Sequence, residues 1–191
     1  IGELTALQWD DIDFENKEIH IRHSMQSAYL NGKKILNMTT PKTSNSIRDI
    51  PMFDGVEKLF VFWKEKQDKA KKELGRRWRL PKEFENLVFT SSLGSPLTRY
   101  VLSNDINKIV SILNKNEEYL AEQENRVPKK FPKLHPHSFR HTFATRCFEK
   151  NLKPVFIMSI MGHSNYETTL SYTHLLKKSN DQQVSLAGSF V

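Results

Sequence analysis

Twelve residues in the second half of the chain, HPHSFRHTFATR at positions 135–146, combine three histidines with two arginines. Histidine can hold or move a proton near neutral pH, and arginine keeps a positive charge that two anionic oxygens can share. Five of the seven histidines of the chain fall between residues 135 and 174. The types and the spacing of these residues indicate chemistry on a negatively charged group.

His137 and Arg140 are three residues apart, at the start of a helix that the sequence predicts over residues 138–150. This spacing puts both side chains on neighbouring faces of the first turn, where the backbone N–H groups also attract an anion. The pair could form a phosphate pocket. Histidines with a purely structural role are common, so the pair alone leaves that reading open.

His163 lies in MGHSN, between a helix predicted over residues 155–161 and a last helix predicted over residues 166–177. Pro154 in the first turn and Gly162 just past the end delimit the earlier helix. Ser164-x-x-Glu167 has the pattern of a capping box that opens the later one. We therefore expect a tight corner that aims the imidazole of His163.

Tyr172 is expected in the middle of the last helix. A tyrosine there usually serves packing, but its hydroxyl is also a covalent nucleophile where a proton acceptor or strong electrostatic activation is near. Tyr166 is a second candidate, at the start of the same helix. Tyr166 follows His163 closely, and the residues alone leave the choice of a nucleophile open.

The elements that must position these residues are mostly helical. Alternation of polar and apolar residues predicts strands, and Asn31-Gly32 predicts a turn. The fold class predicted is mainly α with a small antiparallel β-sheet (α+β). The predicted strands are 18–23, 88–90, and a hairpin of 35–40 with 46–52 around PKTSNS. The predicted earlier helices are 1–9, 54–73 with Asp54 as N-cap, and 98–113, while 114–133 is an exposed helix end or a loop insertion.

The composition narrows the partner and the compartment. The 191 residues suit one domain, and the net charge of +7 favours an anionic partner such as nucleic acid. Residues 64–82 hold nine Lys/Arg against three acids, which predicts either a solvated helix face or a surface that follows phosphates. A single cysteine, Cys147 in an apolar helical stripe with Phe139 and Phe143, excludes a disulfide framework. We expect a buried thiol, a cytoplasmic protein and no membrane span.

Five motifs occur in an order that resembles the catalytic domain of the tyrosine recombinases, the integrases of phages and conjugative transposons. They are IGELTALQWDDIDF, PKTSNSIRDIPM, HSFRH, MGHS and TTLSYTH. The resemblance covers nearly the whole chain. Each motif is modestly specific by itself, and their common order carries the resemblance.

The resemblance implies a role for each matching residue. Tyr172 would attack the scissile DNA phosphate and form a 3′-phosphotyrosyl link, while Arg140 would clamp the non-bridging oxygens. His137 and His163 would bind the phosphate and assist proton transfer. Lys42 would protonate the departing 5′-oxygen. A transition state of this kind needs fixed positive charge on its oxygens and an acid at the leaving group.

Further residues would support the pocket or bind DNA. Glu3 would support the pocket without reacting, and His141 would hold the fold by hydrogen bonding. No cofactor and no metal is expected. The candidate DNA-binding residues are Lys42, Arg48, Arg76, Arg77 and Arg79.

The resemblance also implies the organisation of the protein. Residues 1–191 would be the C-terminal catalytic domain of an integrase, without its N-terminal DNA-binding domains and the start of its first helix. The family's arginine stands directly before the position of Ile1, so the 191 residues alone should be impaired by about 10²–10³ in rate, as for loss of one oxyanion donor. The expected partners are double-stranded DNA at attachment sites and further copies of the protein on that DNA. The expected function is integration and excision of a mobile element.

Three other functions fit parts of the sequence. A zinc hydrolase could use His135, His137 and His141, but no carboxylate stands at ligand spacing and the HExxH pattern is absent. A non-catalytic DNA-binding module, or a decayed integrase, would keep the basic surface and lose the pocket. A type IB topoisomerase shares the chemistry, but the short spacing from MGHS to Tyr172 is more typical of an integrase.

Overall fold

The structure is a computed structural model that describes residues 1–40 and 46–172. These residues fall into two compact units. The N-terminal unit comprises Ile1–Arg99 with Met158–Ser164. The C-terminal unit comprises Tyr100–Ile157 with the described residues from Asn165 on. No helix in residues 1–40 and 46–172 is both long enough and apolar enough to cross a membrane.

The described residues of the N-terminal unit form two antiparallel sheets, one with the strand order β1-β2-β5 and one of β3 with β4. The strands are β1 Ile12–Asp13, β2 Glu18–Ile21, β3 Ser24–Leu30, β4 Lys33–Thr39 and β5 Arg48–Pro51. The turn between β3 and β4 is Asn31-Gly32, with φ of 50° and 74°. Positive φ at both central residues is what a two-residue hairpin turn requires, so the turn predicted there is confirmed.

The predicted hairpin of residues 35–40 with 46–52 is wrong, although both strands exist. β4 pairs with β3 across the tight Asn31-Gly32 turn. β5 pairs instead with β2, which sets Ile50 opposite Ile19. Both isoleucines then pack against the buried core, and this burial decides the pairing over proximity in sequence.

Two helices of this unit frame the sheets, α1 Gly2–Ala6 and α2 Asp54–Leu74. α1 lies so close to β3 that a Cβ on Gly2 would stand 2.3 Å from the Ser24 hydroxyl oxygen. The sequence predicts Asp54 as the N-cap of α2. In the structure it is the first helical residue, and the N-cap is Phe53. The Asp54 carboxylate instead accepts a hydrogen bond from Lys17 Nζ at 2.9 Å.

The strand predicted at 88–90 is also wrong, because side chains take the hydrogen bonds that a ladder would need. The buried Gln67 amide donates to the carbonyl oxygens of Leu87 and Val88, each at 3.1 Å. Trp63 Nε1 donates to Val88 O at 2.6 Å. Only isolated bridges of Leu87 with Gln8 and of Thr90 with Pro96 remain in the described part of this region.

The C-terminal unit is helical. Among the described residues, three helices lie wholly or largely in it, namely α3 Arg99–Gln123, α4 Pro136–Glu149 and α6 Tyr166–Leu170. The helix α5 Pro154–Met161 has its first half in this unit and its second half in the N-terminal unit. α3 runs ten residues beyond the predicted end at 113. The connector after it, residues 124–133, lies against α3: Asn114 and Phe131 exchange two hydrogen bonds, at 3.1 and 2.7 Å. The sequence left two alternatives for residues 114–133. The exposed helix end is confirmed for residues 114–123, and the loop is confirmed for residues 124–133.

α4 buries a different stripe from the predicted one. Phe139 is 55% exposed, whereas Ala144, Cys147 and Phe148 are buried. Cys147 is a free buried thiol, as predicted, and burial raises its pKa above the ordinary value. Phe139 thus does not belong to the core-facing stripe.

Candidate functional site

The start of α4 carries His137 and Arg140. Pro136 is the first helical residue, His135 is the N-cap in an extended conformation, and the helix begins two residues before Ser138. The His135 N–H donates to Ser138 Oγ at 3.1 Å, and the Ser138 N–H donates to His135 O at 2.8 Å. His137 is exposed and Arg140 half-buried, both near the start of the helix, as the sequence predicted. The arrangement can present an imidazole, a guanidinium and helix N–H groups to an anion.

Tyr172 is 7% exposed. Its ring lies against the imidazole of His141, with ring centroids 5.1 Å apart and planes inclined by 57°. α6 ends at Leu170, so Tyr172 stands in a turn after the helix and not in mid-helix as predicted. The Tyr172 N–H donates to Thr169 O at 3.3 Å. The tyrosine is held by its ring and by its backbone.

The start of α6 also differs from the prediction. The N-cap is Asn165, whose side-chain oxygen accepts from the Glu167 N–H at 2.8 Å. The predicted capping box with Ser164 is therefore wrong by one residue. Tyr166, the second candidate nucleophile, is 42% exposed at the first position of the helix.

His163 belongs to the N-terminal unit and is half-buried. It follows Gly162, which has a φ of 63°, directly after the end of α5. The His163 N–H donates to Met158 O at 3.2 Å, and the Gly162 N–H donates to Ser159 O at the same distance. The tight corner predicted for this histidine is therefore present.

Glu3 and Arg48 form an ion pair in the N-terminal unit. Two guanidinium nitrogens donate to the two carboxylate oxygens, at 3.0 and 2.7 Å. The Arg48 side chain is only 10% exposed, and its Nε also donates to Ile160 O at 2.6 Å. These bonds favour an internal role for Arg48 over the DNA contact expected from the sequence. The sequence did not predict this role. The motif PKTSNSIRDIPM singled out Arg48, but only as a DNA-binding residue.

Lys42 lies outside the described residues, as does His174. The structure therefore neither brings Lys42 into the site nor separates it from the site. Its role remains the one that the resemblance predicts.

The basic residues of 64–82 surround much of α2. Lys64 and Lys66 are about 200° apart on a helix of 3.6 residues per turn. Their ammonium groups lie 4.9 Å from the Trp9 ring and 5.6 Å from the Trp63 ring, respectively. This distribution favours a solvated helix over a single stripe of charge. Arg76, Arg77 and Arg79 are exposed beyond the helix end, where a phosphate could reach them.

Potential metal ligands gather away from these residues. In the described ranges, the ligand atoms of Glu18, His20 and Asp49 lie within 4.8 Å of one another. Arg22 already donates to Asp49 Oδ1 at 2.6 Å, and the hydrogen bond from His20 lowers the pKa of Asp49. An arginine there opposes a bound cation. Within the same ranges the three histidines around the start of α4 do not form such a group.

Comparison with known proteins gives a consistent result. The model of the phage integrase family matches residues 1–179. The chain is 29% identical over 189 residues to a tyrosine recombinase XerC-like protein of Caldanaerobacter subterraneus subsp. tengcongensis, covering 96% of the chain and 44% of that relative. It is 29% identical over 175 residues to the transposase of transposon Tn916 from Enterococcus faecalis, covering 90% of the chain and 38% of that relative. The chain thus spans less than half the length of these relatives.

Solved structures agree on the fold. The integrase of transposon Tn1549, in complex with a circular intermediate DNA, superposes with a TM-score of 0.69 at 30% identity, over 90% of this chain and 49% of that one. The XerA recombinase superposes with a TM-score of 0.52 at 21% identity, over 95% of this chain and 52% of that one, and supports the fold alone. The predicted fold class is confirmed.

Proposed function

The chain belongs to the phage integrase family, and from that premise we propose that it catalyses site-specific DNA recombination for a mobile element. The observation that carries the proposal is the family match over residues 1–179, which includes every residue given a catalytic role. Relatives named as a recombinase, an integrase and transposases support it. Residues 1–191 would act as the catalytic part, on double-stranded DNA and with further copies of the protein.

In the proposed cleavage step, the Tyr172 oxygen attacks the scissile phosphorus. The bond to the 5′-oxygen breaks, a 3′-phosphotyrosyl link forms, and the 5′-hydroxyl leaves. The tyrosine proton passes to a neighbouring base, with His137 and His163 as the assisting groups, and Lys42 supplies a proton to the leaving oxygen. Arg140 stabilises the charge that grows on the non-bridging oxygens.

Rejoining is the reverse of this step with another strand. The 5′-hydroxyl of the partner strand attacks the phosphotyrosyl phosphorus, and the tyrosine leaves. The covalent link conserves the energy of the broken bond, so no nucleotide cofactor is needed. We also propose that the protein acts in the cytoplasm, where it would reach its DNA substrate.

The test is a covalent-trapping experiment. The full-length protein is mixed with nicked duplexes taken from the two flanks of the element that encodes it. A wild-type adduct should survive denaturing electrophoresis, and Tyr172→Phe should form none. Tyr166→Phe is the matched control and should form the adduct. DNA binding without any adduct would favour the non-catalytic DNA-binding module instead.

A further inference from the structure

A short basic segment follows α2 in the N-terminal unit. Residues 75–82, GRRWRLPK, contain four basic residues and no acidic one. Arg76, Arg77 and Arg79 are exposed, whereas Trp78 between them is half-buried. Within residues 1–40 and 46–172, these three guanidinium groups take part in no ion pair. The segment therefore carries three positive charges in four positions that the described fold does not use.

Trp78 faces away from the arginines beside it, toward a turn at residues 91–95. The Trp78 N–H donates to Gly75 O at 3.0 Å, and the Arg79 N–H donates to Leu93 O in the turn at 2.8 Å. The backbone of Trp78 is extended, with φ of −67° and ψ of 119°. Successive side chains of an extended chain point in opposite directions, so the indole and the neighbouring arginine side chains diverge.

The indole of Trp78 packs directly on the backbone of Gly94. Gly94 is buried and has a φ of 85°. A Cβ at this position would stand 2.5 Å from both Cδ2 and Cε2 of the indole. Among the described residues, the buried Nε1 of Trp78 has no hydrogen-bond partner. The indole therefore holds the segment by its shape and not by a hydrogen bond.

The turn under the indole is itself fixed by hydrogen bonds. The Ser91 N–H donates to Ser95 O at 2.8 Å, and the Gly94 N–H donates to Ser91 O at 2.9 Å. The Ser95 N–H donates to Ser91 Oγ at 3.0 Å. Just before the turn, Thr90 Oγ1 accepts from the buried Gln67 amide of α2 at 3.3 Å. The indole thus rests on a support that is tied back to α2.

We propose that Trp78 is a positioning residue for DNA binding: its packing on Gly94 holds Arg76, Arg77 and Arg79 as a preformed site for the DNA phosphate backbone. The inference rests on the proposed function, since it names where the DNA substrate is held. Guanidinium groups suit phosphate oxygens in charge and in geometry. A segment that is already ordered loses less conformational freedom when it binds, so the packing favours affinity.

The test compares Gly94→Ala with Gly32→Ala in the full-length protein. Gly32 is a matched control because its φ of 74° is also positive, while a Cβ there would meet nothing within 4 Å. The probe is a duplex of mixed sequence, titrated at several salt concentrations. Gly94→Ala should displace Trp78 and make the log–log salt dependence of binding shallower by about 0.9–1.8, as for the loss of one or two phosphate contacts. Gly32→Ala should keep the wild-type slope.

A second substitution separates the contact from backbone strain at Gly94. Trp78→Phe replaces the indole by a smaller ring and gives up no hydrogen bond among the described residues. Combined with Gly94→Ala, it should restore most of the wild-type slope. Neither substitution changes the charge of the protein, so a change in slope reports lost phosphate contacts. If Gly94→Ala fails to fold, Trp78→Ala removes the same packing with the turn unchanged and should show the same shallower slope.

The outcomes distinguish the inference from the proposed function. If the wild type binds DNA with a steep salt dependence, and Gly94→Ala or its replacement Trp78→Ala keeps that slope, the inference alone fails. A shallower slope in Gly94→Ala that Trp78→Phe does not restore would also overturn it, because backbone strain would then be the cause. If the wild type does not bind DNA, the proposed function fails and the inference fails with it.

Discussion

The imidazole of His141 and the ring of Tyr172 lie 5.1 Å apart, centroid to centroid, with planes inclined by 57°. The contact joins α4 to the turn that follows α6, in which Tyr172 is 7% exposed. His141 therefore stabilises the segment of the proposed nucleophile through its ring. The sequence had suggested a fold-holding role for this histidine through hydrogen bonding, and the ring contact is a second route to the same role.

Replacing His141 tests the ring contact. His141→Ala should lower the free energy of unfolding by about 0.5–1.5 kcal/mol, the usual contribution of an aromatic pair beyond its buried area. His141→Phe keeps a ring at the position and should retain most of that stability. Urea denaturation of the three proteins measures the difference, and equal stability of all three would contradict the contact.

Arg140 is expected to act on the transition state and to contribute little to DNA affinity. Arg140→Ala should lower the cleavage rate by about 10²–10³, by analogy with removal of one oxyanion donor. The matched control is Arg146→Ala on the same helix, since Arg146 is 75% exposed and pairs with Glu149. Single-turnover cleavage with saturating protein measures both, and a similar rate in the two variants would refute the assignment.

The arginines beyond α2 are expected to bind DNA phosphates. Replacing Arg76 and Arg77 together by Gln should make the salt dependence of binding shallower, by about 0.9 in log–log slope for each phosphate that the protein no longer neutralises. The control removes the same charge from Lys64 and Lys66, which lie over tryptophan rings on different sides of α2. Titrations at several salt concentrations give the slopes. Equal slopes in the two double variants would show that DNA binding depends on the net charge of the protein and not on these two arginines.

The connector after α3 should open in acid. The hydrogen bond from Arg126, followed by that from the Lys129 backbone N–H, lowers the pKa of Glu117 from 4.5 to about 2. A carboxyl whose pKa is depressed in the folded state stabilises that state above its unfolded pKa and loses the contribution as pH falls. The protection of the amides of residues 124–131, relative to an unfolded chain at the same pH, should therefore fall between pH 4.5 and pH 2.

Glu117→Gln supplies the control for this titration. The variant cannot ionise at that position. The amides of the connector should therefore have low protection already at neutral pH, and this protection should change little with acid. Protection that falls identically with acid in the wild type and in the variant would assign the opening to another group.

The sequence predicted elements well where the signal is local. Asn31-Gly32, Pro154 and Gly162 each fix the backbone by their own chemistry, and the structure has a turn or a helix end at each. Pairing is not local: β5 follows β4 in sequence but joins β2, because that register buries Ile50 beside Ile19.

The errors around the site have similar causes. Ser164 and Asn165 are both good N-caps, and only the extended backbone of Asn165 selects between them. The role of Arg48 depends on partners 45 and 112 positions away, which no periodicity encodes. The order of the motifs did predict the family, because chemistry restricts residue types more strongly than packing does.

The most direct test of the account is to locate the covalent link. Wild-type protein is trapped on a nicked attachment-site duplex, the adduct is digested with nuclease and protease, and the nucleotide-bearing peptide is identified by mass spectrometry. The account predicts a nucleotide linked through a 3′-phosphate to Tyr172. A link to Tyr166, or DNA binding with no covalent link at all, would contradict it.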